Sequence, residues 1–268
     1  MKAALVVLGA TGGIGRGVVR AALDRGHRVV AVARHADALD ALRLEHRGAE
    51  LTTLPGSVAN DAEGAVLAGQ LRNLRWPVAG IVASVCGGAS NGRVLDQPAE
   101  FLRRKLDEDL LPHLAAARHL LPLLAEAGRG SYLLIGGPGS EHPWAGYGHR
   151  SIGAAALRML ARVLHDEARS IDVRVHLLTV DVPVCTGANR NHASDRWPSA
   201  LAIGQRAVAL IEQAPPDMPV VRYTPTEASG HPFGPVSRSP ADSCPSLVAV
   251  RALLGRFSLT GYNKDLSS

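Results

Sequence analysis

Tyr147 stands where a side chain could carry out acid–base chemistry. It opens the stretch Tyr-Gly-His-Arg-Ser, inside a helix predicted over 146–168 that follows an apolar strand. The pKa of a free tyrosine is about 10, so a phenol that exchanges protons near neutral pH needs a cation beside it. Arg150 lies three residues later on the same helical face, whereas the fifth residue is Ser151. Arg150 is either that cation or a surface or interface arginine.

A second chemical feature is the glycine-rich loop over 9–15, Gly-Ala-Thr-Gly-Gly-Ile-Gly, between a predicted strand and a predicted helix. Glycines let the backbone turn tightly and approach a pyrophosphate, and the helix then presents unpaired N–H groups to that anion. This context predicts a dinucleotide-binding loop. The residues expected to contact the cofactor there are Gly9, Thr11, Gly12, Gly13, Ile14 and Gly15.

The end of the second predicted strand indicates which dinucleotide is bound. An acidic residue at this place would bind the ribose hydroxyls of NAD(H), but the sequence has Arg34 followed by His35. Arginine pairs with a 2′-phosphate and stacks on adenine. We therefore expect NADP(H) rather than NAD(H), with Arg34 and His35 in contact with it. An ordinary surface arginine is the competing interpretation.

Composition excludes several other classes of protein. The 268 residues are 46% hydrophobic, enough for a sizeable core, and no apolar run reaches the length of a membrane span. The net charge is +5, but the arginines are scattered and aromatic residues are few, so we expect no nucleic-acid partner. Three widely spaced cysteines predict neither a metal site nor disulfides. We expect a cytoplasmic protein without a cleaved leader or a membrane anchor.

Apolar strands alternate with helical patterns along 1–224 and predict the fold class. Strands this apolar need helices on both faces, which implies a parallel sheet. We predict an α/β fold: a Rossmann-type, doubly wound parallel sheet of about seven strands in a three-layer α/β/α sandwich. Residues 1–224 are the expected single domain. Residues 225–246 are rich in Pro, Ser and Gly and predict an arm, and 247–268 predict a tail helix.

Together these features resemble the short-chain dehydrogenase/reductase family, over about residues 3–224. Leu8-Gly9 takes the place of the Thr-Gly that usually begins the family's glycine motif. Ser-Val-Cys-Gly over 84–87 takes the place of its Asn-Asn-Ala-Gly, so the resemblance places Ser84 and Gly87 beside the cofactor riboses. Thr186 matches the family threonine that contacts the nicotinamide amide. The resemblance implies hydride transfer between nicotinamide and a carbonyl or alcohol substrate.

The resemblance also shows an incomplete catalytic set. Tyr147 matches the family tyrosine, but Ser151 replaces the lysine four residues later and Gly137 replaces the serine after the fifth strand. Asp109 stands in place of the family's asparagine, which holds a water of the proton relay. Lys105 reaches the site only by an unusual fold path. Ser140 is expected to be a loop hydroxyl.

Several interpretations therefore stay open. Tyr147 is a proton donor, a ligand of the nicotinamide ribose, or a packing residue. The protein is an NADP(H)-dependent oxidoreductase with an unknown small-molecule substrate, a non-catalytic dinucleotide-binding sensor or partner subunit, or a non-redox enzyme such as a cyclase, isomerase or lyase. The resemblance implies a homodimer or homotetramer through the helices at 98–125 and 146–168. Trp144 and Trp197 either line a substrate pocket or pack at the surface.

Overall fold

A computed structural model of the chain describes residues 3–88, 92–128, 130–144, 146–213 and 217–224. These residues form one parallel sheet of seven strands in the order β3-β2-β1-β4-β5-β6-β7. The strands are β1 (Ala4–Leu8), β2 (Arg28–Ala33), β3 (Leu51–Pro55), β4 (Val78–Ala83), β5 (Gly130–Gly136), β6 (Val173–Thr179) and β7 (Val220–Arg222).

Helices cover both faces of the sheet. They are α1 (Gly13–Asp24), α2 (Ala36–Glu45), α3 (Asp61–Asn73), α4 (Ala99–Asp109), α5 (Leu111–Glu126), α6 (Gly148–Ala168) and α7 (Ala200–Gln213). Helices α1, α2 and α7 contribute to the core on one face of the sheet, and α3, α5 and α6 contribute to the core on the other. The predicted Rossmann-type three-layer α/β/α sandwich is confirmed.

Strand β1 shows why the sheet needs both layers. Its side chains alternate between the two cores, with Val6 and Leu8 on one face and Leu5 and Val7 on the other. All four are almost fully buried, because β1 lies in the middle of the sheet and successive side chains of a strand point to opposite faces.

The crossover between the two halves of the sheet positions the site. Strand β1 pairs with β2 on one side and with β4 on the other, so the chain reverses its direction of progress at the β1–β4 step. Ligands of doubly wound sheets bind outside the carboxyl ends of the strands at this step. The loops that follow β1 and β4 are therefore the first places to look for function.

One helix boundary follows from the sequence and one differs from the prediction. The helical region over 98–125 is divided at Leu110 into α4 and α5, because Pro112 cannot continue the hydrogen bonding of a helix interior. Tyr147 does not lie inside α6. It is the N-cap, with φ −132° and ψ 40°, because Gly146 turns the chain with φ +76° immediately before it. The arm predicted over 225–246 and the tail helix predicted over 247–268 lie outside the described residues.

In the described ranges, the structure contains no helix that combines the length and the apolar character needed to cross a membrane.

Close packing between α1 and α7 generates a stability prediction. A methyl group added at Gly204 would collide with the backbone carbonyl of Gly17, whereas one added at Gly69 of α3 would meet open space. Gly204→Ala is therefore expected to lower the free energy of unfolding by about 1–3 kcal/mol. The control Gly69→Ala is expected to raise it by about 0.5–1 kcal/mol, since alanine is the better helix former. Urea denaturation measures both, and equal stability of the two variants would contradict the packing argument.

Candidate functional site

The glycine loop after β1 has a backbone that other residues would not tolerate. Gly9 has φ +72°, and a Cβ at this position would collide with the carbonyl of Ser84. The loop then folds back, with the Gly12 N–H donating to the Gly9 carbonyl at 3.0 Å. Close approach of Gly9 to Ser84 joins the loop after β1 to the loop after β4.

The N-terminus of α1 is open to an anion. Gly12 is its N-cap, no side chain caps the helix, and no acidic residue lies in the first turn. The backbone N–H groups of that turn and the positive end of the helix dipole are therefore available to a phosphate group. The residues predicted for phosphate binding, from Gly9 to Gly15, lie together here.

Two contacts hold the loop in place. The Arg16 guanidinium donates from Nε to the Thr11 carbonyl at 3.2 Å and pairs with Glu45 at 2.8 Å. From the other side, the Thr186 methyl group lies 2.6 Å from the position that a Cβ of Gly13 would take. Thr186 is fixed in turn by Asn189, whose Oδ1 accepts from the Thr186 backbone N–H at 2.7 Å. Sequence reasoning selected Thr186 but missed Asn189.

Arg34 lies directly after β2 and is exposed. Among the described residues it forms no ion pair. His35 follows as the N-cap of α2, and the first acidic residue is Asp37, inside that helix. The end of β2 therefore presents positive charge where a ribose-binding carboxylate would otherwise stand.

The loop after β4 is held by three side chains from α4 and α5. Lys105 Nζ donates to the Gly88 carbonyl at 3.0 Å. The Gly87 N–H donates to Asp109 Oδ1 at 2.6 Å. His113 Nε2 lies 3.0 Å from the Val85 carbonyl. We call Lys105, Asp109 and His113 the loop clamp; it fixes the backbone of a segment that faces the glycine loop.

The loop clamp corrects the sequence analysis on Lys105, which was left outside the site. Its ammonium is buried against the β4 loop and pairs with Glu108 at 2.6 Å. A signal was present in the sequence: Lys105, Asp109 and His113 are spaced four residues apart, and this spacing puts polar groups on one helical face. The helix boundary at Leu110 lies between Asp109 and His113, yet both side chains contact the β4 loop.

Several charged side chains affect the pKa of the Cys86 thiol. The residue keeps part of its surface exposed. Loss of hydration around its sulfur and, second, the negative charge of Asp109 raise the pKa of its thiol, while Arg150, Lys105 and Arg34 act in the opposite direction. Cys86 therefore lies within electrostatic reach of four charged side chains that belong to three different segments.

His113 is fully buried, and burial lowers its pKa from 6.5 to about 4, with the Val85 bond partly opposing the shift. The imidazole is therefore neutral near pH 7. In that state Nε2 carries the proton and donates to the Val85 carbonyl, because a carbonyl accepts only from an N–H. Nδ1 is buried without a hydrogen-bond partner among the described residues.

The loop after β5 covers the position of the missing lysine. Ser151 is buried, and its Oγ accepts from the Trp144 N–H at 2.9 Å and donates to the Tyr147 carbonyl at 3.3 Å. Gly139 packs directly over it, since a Cβ there would lie 2.6 Å from Ser151 Oγ. A lysine at 151 would have to displace this loop. Gly137 meets no neighbour, so no hydroxyl replaces the family serine at that point.

The ring of Tyr147 packs against another aromatic side chain of the β5 loop. It stacks on Trp144 with the centroids 4.4 Å apart and an angle of 27°. Trp144 therefore packs against Tyr147, and Trp197 lies half-buried in the loop before α7. Arg150, one turn further along α6, is the residue of this helix that acts on Cys86.

Glu141 ties the β5 loop to the far edge of the sheet. It pairs with Arg158 of α6 at 2.7 Å and with Arg222 of β7 at 2.5 Å. Arg222 also pairs with Asp181, which follows β6, at 3.1 Å. The loop that covers Ser151 is therefore held by charges on α6 and β7. Across the described residues, no group of three or more His, Cys, Asp or Glu side chains converges as metal ligands.

This arrangement of strands and loops matches a known family. The model of the short chain dehydrogenase family matches residues 2–196, more than half of the chain. The chain belongs to the short-chain dehydrogenase family. The matched residues include the loops after β1, β4 and β5 and the whole of α6.

Individual relatives are more distant. A protein of Myxococcus xanthus (strain DK1622) described as an uncharacterized oxidoreductase is 29% identical over 174 residues, which cover 63% of this chain and 68% of that protein. A short-chain type dehydrogenase/reductase from Mycobacterium ulcerans has a TM-score of 0.74 at 20% identity, covering 82% of this chain and 87% of its own. A short chain dehydrogenase from Burkholderia cenocepacia J2315, solved in complex with NADP, has a TM-score of 0.70 at 18% identity, covering 83% and 88%.

Burial of neutral His113 generates a pH prediction. The folded-state pKa is about 4 and the ordinary value is 6.5, so the unfolded chain takes up the proton first as the pH falls. The stabilising contribution is complete above the ordinary pKa and is lost progressively towards pH ~4, by about 3 kcal/mol in total. His113→Gln, whose amide can still donate to Val85, is expected to flatten the fall in stability between pH 7 and pH 4.

Urea denaturation across that pH range measures the effect. His142→Gln is the matched control, because His142 is exposed in the β5 loop, and its profile is expected to follow that of the wild type. An unchanged slope in His113→Gln would show that other groups cause the loss of stability.

Proposed function

We propose that the protein binds NADP(H) in the cleft between the loops after β1, β2 and β4 and acts as an oxidoreductase on a carbonyl or alcohol substrate. Arg34 carries the proposal: it is a cation without an ion-pair partner in the described part of the chain, at the end of β2, where the adenosine ribose of a dinucleotide would lie. The bound NADP of the Burkholderia cenocepacia structure is consistent with it.

The residues of the cleft fit such a cofactor. The uncapped N-terminus of α1 suits a pyrophosphate. Glycine at positions 9 and 13 lets the loop lie directly against Ser84 and Thr186, where a Cβ would collide. Arg34 and His35 suit a 2′-phosphate, since a guanidinium pairs with phosphate oxygens in a fork geometry. When bound, NADPH would supply the hydride.

Further residues are assigned proposed roles towards the same cofactor. Ser84 and Gly87 would pass beside its riboses, and Thr186 would contact the nicotinamide amide. Asp109 acts through the Gly87 N–H as a positioning residue for the β4 loop. We propose that Tyr147 packs the β5 loop through its stack on Trp144 rather than donating a proton.

The packing of the β5 loop over Ser151 favours a second, non-catalytic function. The residue four positions after Tyr147 is Ser151, which lies under the β5 loop, so no lysine stands at that position to stabilise a tyrosinate. A dinucleotide-binding sensor or partner subunit without redox activity is the function that this observation supports.

We also propose that two copies of the chain associate through α5 and α6. A groove of about 590 Å³ runs along these helices and is lined mainly by apolar side chains, including Leu111, Leu114 and Ile171. Met159 and Val163 of α6 are further large apolar side chains left exposed. Exposed apolar surface of this kind marks contact sites in soluble proteins, and a second copy would bring the same apolar face to cover it.

The cofactor proposal predicts a preference for NADPH that depends on Arg34. Arg34→Gln is expected to weaken NADPH binding by about 10- to 100-fold, the value of a lost charge-assisted hydrogen bond, and to leave NADH binding unchanged. Arg43→Gln on α2, whose side chain is exposed and pairs with Asp40, is the control. Fluorescence titration of each nucleotide measures the affinities of the wild type and of both variants. Equal affinity of the wild type for NADH and NADPH would refute the assignment of Arg34.

A screen of aldehydes, ketones and alcohols with bound NADP(H) then separates the two functions. Oxidation of NADPH with a carbonyl substrate supports the oxidoreductase, and Tyr147→Phe is expected to retain that activity if Tyr147 is a packing residue. NADPH binding without hydride transfer to any substrate supports the non-catalytic function instead.

The association proposal predicts a dimeric or tetrameric mass in solution. Met159→Glu places a charge on the apolar face of α6 and is expected to reduce the mass measured by light scattering to that of a monomer. Val66→Glu, at an exposed valine of α3, is the control and is expected to leave the assembly intact. A monomeric wild type would exclude the proposal.

A further inference from the structure

Arg150 is a cation near Cys86 that pairs with no acidic residue in the described part of the chain. Its Nε is buried without a hydrogen-bond partner, and the guanidinium forms no ion pair with the described residues. By contrast, Arg158 of α6 pairs with Glu141, and Arg16 of α1 pairs with Glu45. An N–H group of a charged side chain that is buried without a partner is unfavourable, so Arg150 calls for a counterion.

The surroundings of Arg150 concentrate positive charge. It lies in the first turn of α6, where no side chain caps the helix and no acidic residue is present, so the helix dipole adds to its charge. The ammonium of Lys105 is already paired with Glu108. Asp109 is an acidic group that lies close to Gly153 of α6, and one of its oxygens already accepts from the Gly87 N–H.

A second polar atom without a partner among the described residues lies on an adjoining segment. Ser140 Oγ is buried without a hydrogen bond to them, in the loop that packs on the first turns of α6 through Gly139 and Ser151. Arg150 Nε and Ser140 Oγ thus belong to two segments in contact. Each is a hydrogen-bond donor that a bound acceptor would satisfy.

We propose that Arg150 binds a carboxylate carried by the substrate, with Ser140 as a further donor, so that the oxidoreductase acts on a carbonyl or hydroxy acid. This inference rests on the proposed function and names its substrate class. A free Nε together with one Nη is the edge of a guanidinium that pairs side-on with the two oxygens of a carboxylate. Arg150 carries one positive charge and has the negative charge of Asp109 nearby. A ligand with one negative charge therefore suits the site better than a doubly charged phosphate.

Cys86 supplies a test that needs neither cofactor nor substrate. Its thiol is exposed and lies within electrostatic reach of Arg150. The probes are iodoacetate, which carries a carboxylate, and iodoacetamide, its neutral equivalent. Peptide mass spectrometry measures the alkylation rates at Cys86 and, as an internal reference, at Cys185. For each cysteine the rate with iodoacetate is divided by the rate with iodoacetamide. The normalised ratio is the value for Cys86 divided by the value for Cys185.

Arg150→Gln is expected to lower this normalised ratio by about threefold, the effect of one unit charge at several ångströms in a largely aqueous path. Arg150→Lys keeps the positive charge but loses the paired N–H donors of the guanidinium. It is expected to lower the normalised ratio less than Arg150→Gln does. Arg162→Gln, at an exposed arginine further along α6, is expected to leave it unchanged. Unchanged reactivity of Cys185 towards iodoacetamide shows that each variant is folded.

Competition distinguishes the anion. Acetate is expected to slow the reaction of iodoacetate with Cys86 in the wild type, and acetamide is not. An equal ratio in wild type and Arg150→Gln would overturn the proposal, and so would stronger competition by inorganic phosphate than by acetate. Because no nucleotide is present, a failure of NADPH binding leaves this result readable, and a failure here leaves the cofactor assignment standing.

Discussion

The loop after β4 crosses the carboxyl end of the sheet, where its backbone polar groups need hydrogen-bond partners. The shape of the cleft depends on the side chains that provide these partners. The loop clamp supplies the partners: Lys105, Asp109 and His113 each bond one backbone atom between Val85 and Gly88. Buried backbone groups without partners are costly, so these bonds select one path for the loop. That path brings Ser84 against Gly9 and thereby sets the geometry of the glycine loop as well.

The loop after β5 is held by ion pairs rather than by the loop clamp. Asp181, which follows β6, pairs with Arg222, and Arg222 pairs with Glu141 of the β5 loop. Glu141 also pairs with Arg158. These ion pairs hold the β5 loop, whose Gly139 packs against Ser151. The acidic residue after β6 and the loop over Ser151 are therefore linked through Arg222 and Glu141.

Much of the fold was predictable from sequence because its signals are local. Apolar strands alternating with helical patterns predicted the seven strands, and the glycine spacing predicted an uncapped helix start after β1. The loop clamp was not predicted, because its members bond backbone atoms distant in the sequence. The stack of Tyr147 on Trp144 was missed for a similar reason: it depends on the turn at Gly146, which moves Tyr147 out of α6.

If the loops after β1, β2 and β4 form one NADP(H) cleft, a crystal structure of the protein with NADPH will show the bound nucleotide there. We expect the pyrophosphate at the N-terminus of α1 and the 2′-phosphate against Arg34. We also expect the nicotinamide ribose beside the loop that the clamp holds. A nucleotide bound elsewhere, or a 2′-phosphate directed away from Arg34, would contradict this prediction.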